Sequence, residues 1–200
     1  MPLQSGALAP AQDRRVRRTR SALLRAAVAL VAERATAAVP IADLAAAADV
    51  SRQVVYQHFG DRDTLLLEAA LDLARRELLQ RIEDASPSPD RRGPALAAMR
   101  HFAEHRAFYR AMLTSSIAFA LNKALSELLM PVNRRLARRM GGDRLDPRTA
   151  DDLTLYLTGG AAAFVNAWLV EGDDPLDPEE FTERLMRMMH VLLEHKEQDR

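Results

Sequence analysis

Polar side chains at helical spacing follow a turn near residue 50, and their chemistry suits contact with nucleic acid. Arg52 and Gln53 come first, and Tyr56 and Gln57 lie one helical turn further on. Arginine pairs well with guanine and glutamine with adenine, because each can make two hydrogen bonds to the edge of that base. The hydroxyl of Ser51, with the free amides of a helix start, suits a phosphate group. The pattern favours nucleic-acid contact over catalysis.

Two short helices and a tight turn must position these side chains. Ile41 and Leu44 share one face at helical spacing, which predicts an apolar side on the first helix. Asp49 can adopt the left-handed conformation that ends such a helix. Ser51 predicts the N-cap of a second helix over residues 52–59. A unit of this kind is used to present its second helix to the major groove of DNA.

The residues of this unit resemble the DNA-binding signature of TetR-family transcriptional repressors. The resemblance is carried by Val50-Ser51, by Val55-Tyr56-Gln57-His58-Phe59 and by Gly60-Asp61-Arg62-Asp63-Thr64-Leu65. It implies an all-α fold in which a three-helix head with a helix-turn-helix precedes a larger C-terminal helical domain for ligand binding and dimerisation. Helix start and stop signals along the rest of the chain agree with this layout and predict about nine helices.

The resemblance also implies roles for residues of the head. Tyr56 and His58 match phosphate contacts, Gln57 matches a contact to a base or a phosphate, and Arg62 stands where the family commonly has a phosphate-binding lysine. The complete set of predicted DNA-binding residues is Arg17, Arg18, Ser51, Arg52, Gln53, Tyr56, Gln57, His58 and Arg62.

Three positions depart from the family's pattern. Ala35 stands in the connector where a glycine is usual, and Val39-Pro40 replaces a capping threonine that touches phosphate. Asp49 replaces a frequent glycine in the turn and brings a negative charge near the DNA. These changes affect the strength of binding or the orientation of the head and leave the recognition helix in place.

Charge is distributed unevenly along a chain whose net charge is zero. Residues 1–62 hold nine arginines and five acidic residues, a balance of +4, and the remainder balances this at −4. Five of the arginines lie between residues 14 and 20. They form either a solvated helix start or an arm that contacts phosphates or the minor groove. Beside a helix-turn-helix we favour the arm, which includes Arg17 and Arg18.

Composition and breaks in the pattern predict the organisation of the chain. The 48% hydrophobic and 28% charged residues are ordinary for a folded protein. Residues 1–12 predict a disordered tail without a secretory signal, residues 13–62 the DNA-binding domain, and residues 63–200 the ligand-binding and dimerisation domain. The absence of cysteine excludes disulfides and suits a cytoplasmic protein.

Residues 153–170 form an uncharged run of eighteen residues, the lower limit for a membrane span. Acidic flanks without lysine or arginine, together with internal polar residues, argue against a membrane. Small side chains in the run allow another helix to approach closely, which favours a homodimer interface over an intramolecular core. The predicted interface residues are Gly159, Gly160, Ala163, Leu185, Met188, Met189 and Leu192.

Aromatic, methionine and amide side chains recur on helices of the C-terminal half. Apolar walls with few polar groups suit a small-molecule site, although such residues at helical spacing also form plain core. The resemblance implies a ligand-binding half, so we favour a pocket for an unidentified small-molecule effector. Its predicted lining is Phe102, His105, Tyr109, Met112, Phe119, Asn122, Asn166 and Trp168.

Other chemistries find less support in the sequence. His101 and His105 have a spacing that can hold a metal ion, but no third ligand is evident, so we expect neither a metal nor a cofactor. No nucleophile–base pair, carboxylate pair or phosphate-binding glycine loop emerges, so no catalytic residue is predicted. The sequence thus favours a homodimeric, ligand-responsive regulator, most simply a repressor, that binds a near-palindromic site on double-stranded DNA. A helical interaction or scaffold module with a purely structural helix-turn-helix is the alternative.

Overall fold

The computed structural model describes residues 9–86, 92–141 and 146–194, and over these residues the chain is helical, without strands. The head consists of α1 (Ala9–Arg34), α2 (Ile41–Ala47) and α3 (Arg52–Phe59). The larger half consists of α4 (Arg62–Leu73), α5 (Leu79–Ala85), α6 (Arg92–Glu104), α7 (Arg106–Leu113), α8 (Ala118–Gly141), α9 (Pro147–Glu171) and α10 (Pro178–Glu194). A π-helical turn joins α4 to α5 without a break, so the described residues form nine separate helical rods, as predicted.

Local capping explains where the helices of the head begin and end. Asp49 has φ 54° between α2 and α3, which confirms the left-handed turn expected there. The Ser51 side chain accepts a hydrogen bond from the Val54 N–H at 3.4 Å and caps α3. Gly60 ends α3 with φ 78°, a conformation that side chains disfavour. Asp61 then caps α4 by accepting from the Thr64 N–H at 2.7 Å, and this hydrogen bond lowers the pKa of the Asp61 carboxyl.

The connector between α1 and α2 contains a second strained residue. Ala35, which stands where the family usually has glycine, has φ 51°. The left-handed conformation brings Cβ too close to the backbone for any residue but glycine to adopt it freely. Ala37 and Val39 in the same connector are buried, so packing of the connector holds Ala35 in this conformation.

The first helix is longer than expected at its start. Of the predicted disordered tail, residues 1–8 lie outside the described part of the chain, whereas residues 9–12 already belong to α1. Alanine and glutamine there are good helix formers, which explains why the helix extends backwards beyond the arginines. The arginine-rich segment is therefore the first part of a helix and not a free arm in front of one.

One hydrophobic core runs through both halves of the molecule. It extends without interruption from Leu23 on α1 to Phe181 on α10. Helix α1 packs against α4 and α7, and α8 packs extensively along α9. Pro131 lies inside α8, and the helix continues through it. The head is thus fixed to the larger half by shared apolar packing.

A partly buried arginine joins the end of α9 to the start of α7. Arg106 donates from Nε to the carbonyl of Leu169 at 3.2 Å, from Nη2 to that of Gly172 at 2.5 Å and from Nη1 to that of Asp173 at 2.8 Å. Carbonyls at a helix C-terminus lack intrahelical partners, and a cation there also interacts favourably with the helix dipole. Arg106 thereby fixes the end of α9 against the helix that contacts the head.

Candidate nucleic-acid interface and internal cavity

Helix α3 divides its side chains between the core and solvent. Val55 and Phe59 are buried and hold the helix on the head. Four of the predicted DNA-binding side chains, together with the cap residue, are exposed on its outer side: Ser51, Arg52, Gln53, Tyr56 and Gln57. Tyr56 is 53% exposed, so its ring and hydroxyl are accessible to a partner. The exposed face has the hydrogen-bonding groups that groove contact requires.

Arg20 fixes the far end of α3 to the rest of the head. Its Nη1 donates to the carbonyl of His58 at 3.2 Å, its guanidinium lies 4.6 Å from the centroid of the Phe59 ring, and it forms an ion pair with Glu68. The sequence groups Arg20 with the other basic residues of α1, but its partners are internal. It therefore positions α3, whereas Arg17 and Arg18 are exposed.

The remaining predicted phosphate contacts flank the end of α3. Arg62 begins α4 and is engaged by its neighbour Asp63, which accepts from Arg62 Nε at 2.9 Å. Its side chain keeps 37% exposure. His58 is half-buried beside Phe59, with ring centroids 6.1 Å apart. Both residues border the exposed face of α3, but a phosphate would compete with Asp63 for Arg62.

A cavity of about 250 Å³ lies among the helices of the larger half. Four of the eight predicted pocket residues border it: Phe102, Tyr109, Asn122 and Asn166. Asn166 Nδ2 donates to Asn122 Oδ1 at 2.6 Å, which joins α9 to α8 through neutral amides. The walls are otherwise largely apolar, and two arginines of α8, Arg135 and Arg139, border the cavity.

The other four predicted pocket residues lie elsewhere. Met112 is fully buried in the core, and Trp168 stacks on Phe181 with ring centroids 4.3 Å apart. Phe119 is 82% exposed, and His105 faces a carboxylate outside the cavity. Helical periodicity shows that a residue is on an apolar face but not which neighbouring helix that face meets, and this is why the prediction misplaced them.

The predicted interface on α9 is exposed along one face. Leu155 and Tyr156 are each 63% exposed, and Gly159, Gly160 and Ala163 follow on the same side at helical spacing. A Cβ placed on either glycine would meet no atom within 4 Å. By length and composition α9 would also suit a membrane, and one third of its most apolar window is buried within the chain.

Helix α10 exposes one of the residues predicted for the interface, Met188, and places two others against the cavity. Leu185 and Met189 border the internal cavity. The exposed apolar side chains of α10 are Met188, at 37% exposure, and Val191, at 62%. The side chain of Leu192 lies outside the described part of the structure. Among the described side chains of α10, the exposed apolar surface is therefore carried by Met188 and Val191.

A partly buried polar cluster lies beside the cavity. His101 is fully buried, and its Nε2 lies 3.0 Å from the Tyr109 hydroxyl. Burial, followed by repulsion from His105, lowers the pKa of His101 to about 3 and keeps the ring neutral at physiological pH. Burial also raises the pKa of Tyr109 well above its ordinary value. His105 Nε2 lies 2.8 Å from Oε2 of Glu77, so the structure supplies the third group that the sequence did not reveal.

Two residues with clear structural roles, Glu77 and Arg106, were missed in the sequence, whereas Gly172 was expected to separate two helices. Glu77 was missed because it is distant from the histidines along the chain. Arg106 was missed because nothing in the sequence distinguishes it from the many other arginines. Gly172 ends α9 where a Cβ would lie 2.7 Å from Leu176 Cδ2 and would clash with the Trp168 carbonyl. Only Gly172 had a local signal, since a glycine after a long apolar run is typical of a helix end.

Comparisons with known proteins identify both halves of the chain. A family model described as bacterial regulatory proteins of the tetR family matches residues 23–69, and one described as a transcriptional regulator C-terminal region matches residues 95–191. A helix-turn-helix-type transcriptional repressor of Mycobacterium tuberculosis is 37% identical over 99 residues, which cover 44% of this chain. The match spans about half of that relative, 52% of its length.

Solved structures show the same fold over nearly the whole chain. A TetR-family transcriptional regulator from Rhodococcus sp. has a TM-score of 0.63 and 19% identity, covering 88% of this chain and 98% of its own. NalD, the secondary repressor of the MexAB-OprM efflux pump in Pseudomonas aeruginosa, has a TM-score of 0.55 and 26% identity, covering 86% of this chain and 94% of its own.

Proposed function

Since the chain belongs to the TetR family of bacterial regulatory proteins, we propose that it is a dimeric transcriptional repressor in the cytoplasm, released from its operator by a small ligand. The observation that carries the proposal is the exposed polar face of α3, held from behind by Val55, Phe59 and Arg20. A face of this kind on a rigidly anchored helix suits the major groove. A regulator of this family has a binding role and not an enzymatic one.

Within this interface, base and phosphate contacts have separate duties. Arg52 and Gln53 lie at the start of α3 and are proposed to read base edges. Ser51, Tyr56 and the more distant Arg17 are proposed to fix the register through phosphates, which carry no sequence information by themselves. Two copies of α3 related by a two-fold axis would enter successive major grooves, so the proposed operator is a near-palindrome.

Selection of duplexes from a random pool, followed by binding at several salt concentrations, tests the DNA-binding part. We expect selected duplexes to contain inverted half-sites and to lose affinity on the order of 10³-fold between about 50 and 200 mM salt. Arg52→Ala should weaken specific binding, whereas Arg75→Ala, an exposed arginine on the π-helical turn, should not. A chain that binds no duplex at low salt would support the scaffold alternative.

The exposed face of α9 is the proposed dimer interface. Its glycines and Ala163 let a second helix approach closely, and Leu155 and Tyr156 supply apolar area at one end. Removing such area from water is the main driving force of association. The acidic flanks and the absence of an arginine or lysine belt around the apolar run favour a second copy of the chain over a lipid bilayer.

Two substitutions at Gly160 separate the interface from the fold. Because a Cβ at Gly160 meets open space within one chain, Gly160→Leu should leave the protomer folded and disrupt the dimer. Gly160→Ala should raise the free energy of unfolding of the protomer by about 1 kcal/mol, because alanine favours the helix more than glycine does, while it weakens association. Lys123→Leu, at an exposed site on α8, is the matched control. Sedimentation that finds Gly160→Leu as dimeric as the control would remove this face from the interface.

The cavity is the proposed effector site. Its apolar walls favour a mainly apolar molecule, the Asn122–Asn166 pair offers neutral hydrogen bonds, and Arg135 at its border favours one anionic group. Thermal shifts with matched pairs, such as octanoate against octanol, test this chemistry in the wild type and in Arg135→Ala. We expect the acid to stabilise the wild type more than the alcohol does, and Arg135→Ala to reduce that difference, since Arg139 still borders the cavity in the variant.

A continuous helical rod connects this cavity to the recognition helix. Leu78 and Ile82 border the cavity, and the same rod begins at Arg62, three residues after α3 ends. A ligand that prefers one position of this rod would change the spacing of the two α3 helices in a dimer. Linkage then requires that the ligand lower operator affinity by the same factor by which the operator lowers ligand affinity. Ligands that stabilise the protein without changing operator affinity would refute this coupling.

A further inference from the structure

Two histidines and a carboxylate from separate helical segments converge at the start of α7. Glu77 comes from the π-helical turn, His101 from the last turn of α6, and His105 from the single residue between α6 and α7. One ligand atom from each lies within 4.8 Å of the other two. The sequence places Glu77 far from the histidine pair, so only the fold brings the three together.

The cluster contains a buried nitrogen without a hydrogen-bond partner. Nδ1 of the fully buried His101 makes no hydrogen bond in the described structure, and it lies 4.0 Å from Oε2 of Glu77. The other ring nitrogen of His101 is engaged by the Tyr109 hydroxyl at 3.0 Å. A buried polar atom that lacks a partner is costly, so a group that binds Nδ1 would be favoured there.

From this geometry we infer that Glu77, His101 and His105 bind a divalent transition-metal ion, with Zn²⁺ as the reference ion. Imidazole nitrogen and carboxylate oxygen are common zinc ligands, with bonds of about 2.0–2.2 Å. Ligand atoms around a tetrahedral zinc are then about 3.3 Å apart. The observed separations of 2.8 and 4.0 Å from Glu77 Oε2 bracket that value, and all three ligand atoms lie within 4.8 Å of one another, so the ligand atoms move closer together when an ion binds.

The surroundings provide the support that metal sites require. Metal-binding histidines usually donate their second ring N–H to a fixed partner, and Tyr109 occupies that place for His101. The side chains of Glu77 and His105 are 30% and 19% exposed, so an ion can reach the site from solvent. π-helical turns, such as the one that carries Glu77, occur frequently at functional sites.

Neighbouring charges leave one negative charge for the ion. Arg81 lies 3.6 Å from Glu77 but is held more closely by Glu104, at 2.7 Å. Arg76 lies 3.8 Å from Glu77 and is likewise held by Asp72 at 2.7 Å. Each arginine therefore has a nearer carboxylate of its own, and Glu77 is the surplus acid of the group.

Titration of the full chain with Zn²⁺ against a chromophoric chelator tests the site, with the Co²⁺ absorption spectrum as a report on the ligands. We expect one ion per chain. His105→Ala and Glu77→Gln are used because both side chains reach the surface and their loss spares the core. Each should weaken Zn²⁺ binding by on the order of tenfold or more. Loss of a residue that supports a metal ligand already has an effect of this size, and loss of the ligand itself should have at least the same effect.

A control variant and a second measurement make the result decisive. His190→Ala removes an exposed histidine on α10 and should leave Zn²⁺ affinity unchanged. Zn²⁺ should raise the melting temperature of the wild type and of His190→Ala but not that of His105→Ala, since an ion bound to the folded state stabilises it. The inference is overturned if the wild type binds no Zn²⁺, or if either ligand variant binds Zn²⁺ as tightly as the wild type. Neither result depends on DNA or on the effector.

Discussion

Replacing Arg106 tests how strongly the end of α9 is fixed to the rest of the molecule. In Arg106→Met the apolar stem is largely retained, whereas three hydrogen bonds to backbone carbonyls are lost. A hydrogen bond to a charged group contributes about 1.5–3 kcal/mol, so three bonds set an upper limit of several kcal/mol. The exposed carbonyl of Asp173 regains water after the substitution, which reduces the loss. We expect the free energy of unfolding to fall by about 3 kcal/mol.

Urea unfolding at one fixed protein concentration measures the effect, because association would otherwise shift the midpoint. With a slope of about 2–3 kcal/mol per molar urea, the midpoint should fall by roughly 1 M. Arg134→Met is the matched control, since the ion pair that Arg134 forms within the described residues is with the exposed Asp151, at 3.0 Å. An exposed pair contributes less than about 1 kcal/mol. A loss for Arg106→Met no larger than that for Arg134→Met would refute the role assigned to Arg106.

Three further predictions concern backbone strain, close packing and DNA reading. Ala35→Gly should stabilise the chain by about 1 kcal/mol, since it relieves a left-handed alanine, whereas Ala38→Gly in the same connector should not; thermal unfolding distinguishes them. Gly172→Ala should destabilise by about 1–3 kcal/mol because its Cβ overlaps Leu176 and the Trp168 carbonyl, and a melting temperature equal to wild type would contradict this. Gln53→Ala should change which bases are preferred, and Arg62→Ala should weaken binding to all duplexes alike; binding profiles over a duplex library decide, and a uniform loss for Gln53→Ala would remove it from the base-reading set.

Local signals explain what the sequence predicts well. The bounds of α9 follow from local chemistry, since Asp146 and Pro147 mark its start and Gly172 its end. The turn at Asp49 and the cap at Ser51 are confirmed for the same reason. All of these depend on residues within one helical turn of each other.

Features that depend on distant residues were not predictable in this way. In the sequence Arg20 belongs to a basic segment, whereas in the fold it contacts the His58 carbonyl and Glu68. The sequence predicts Trp168 as part of a pocket wall, whereas in the fold it stacks on Phe181. In each case the residue type is informative, but the packing of the helices determines which residue it contacts. Helical periodicity contains no information about that packing.

The uninterrupted core has a consequence for how this chain can be recombined with its relatives. Because Leu23 on α1 and Phe181 on α10 belong to one cluster, a boundary drawn at residue 62 cuts through packed side chains. A hybrid that joins this head to another regulator's effector half would need matching surfaces on α4 and α7, the helices that contact α1. Exchanging only the exposed residues of α3 leaves every one of those contacts intact. With the proposed role of α3, we therefore expect operator preference to be transferable between relatives as a set of side chains and not as a domain.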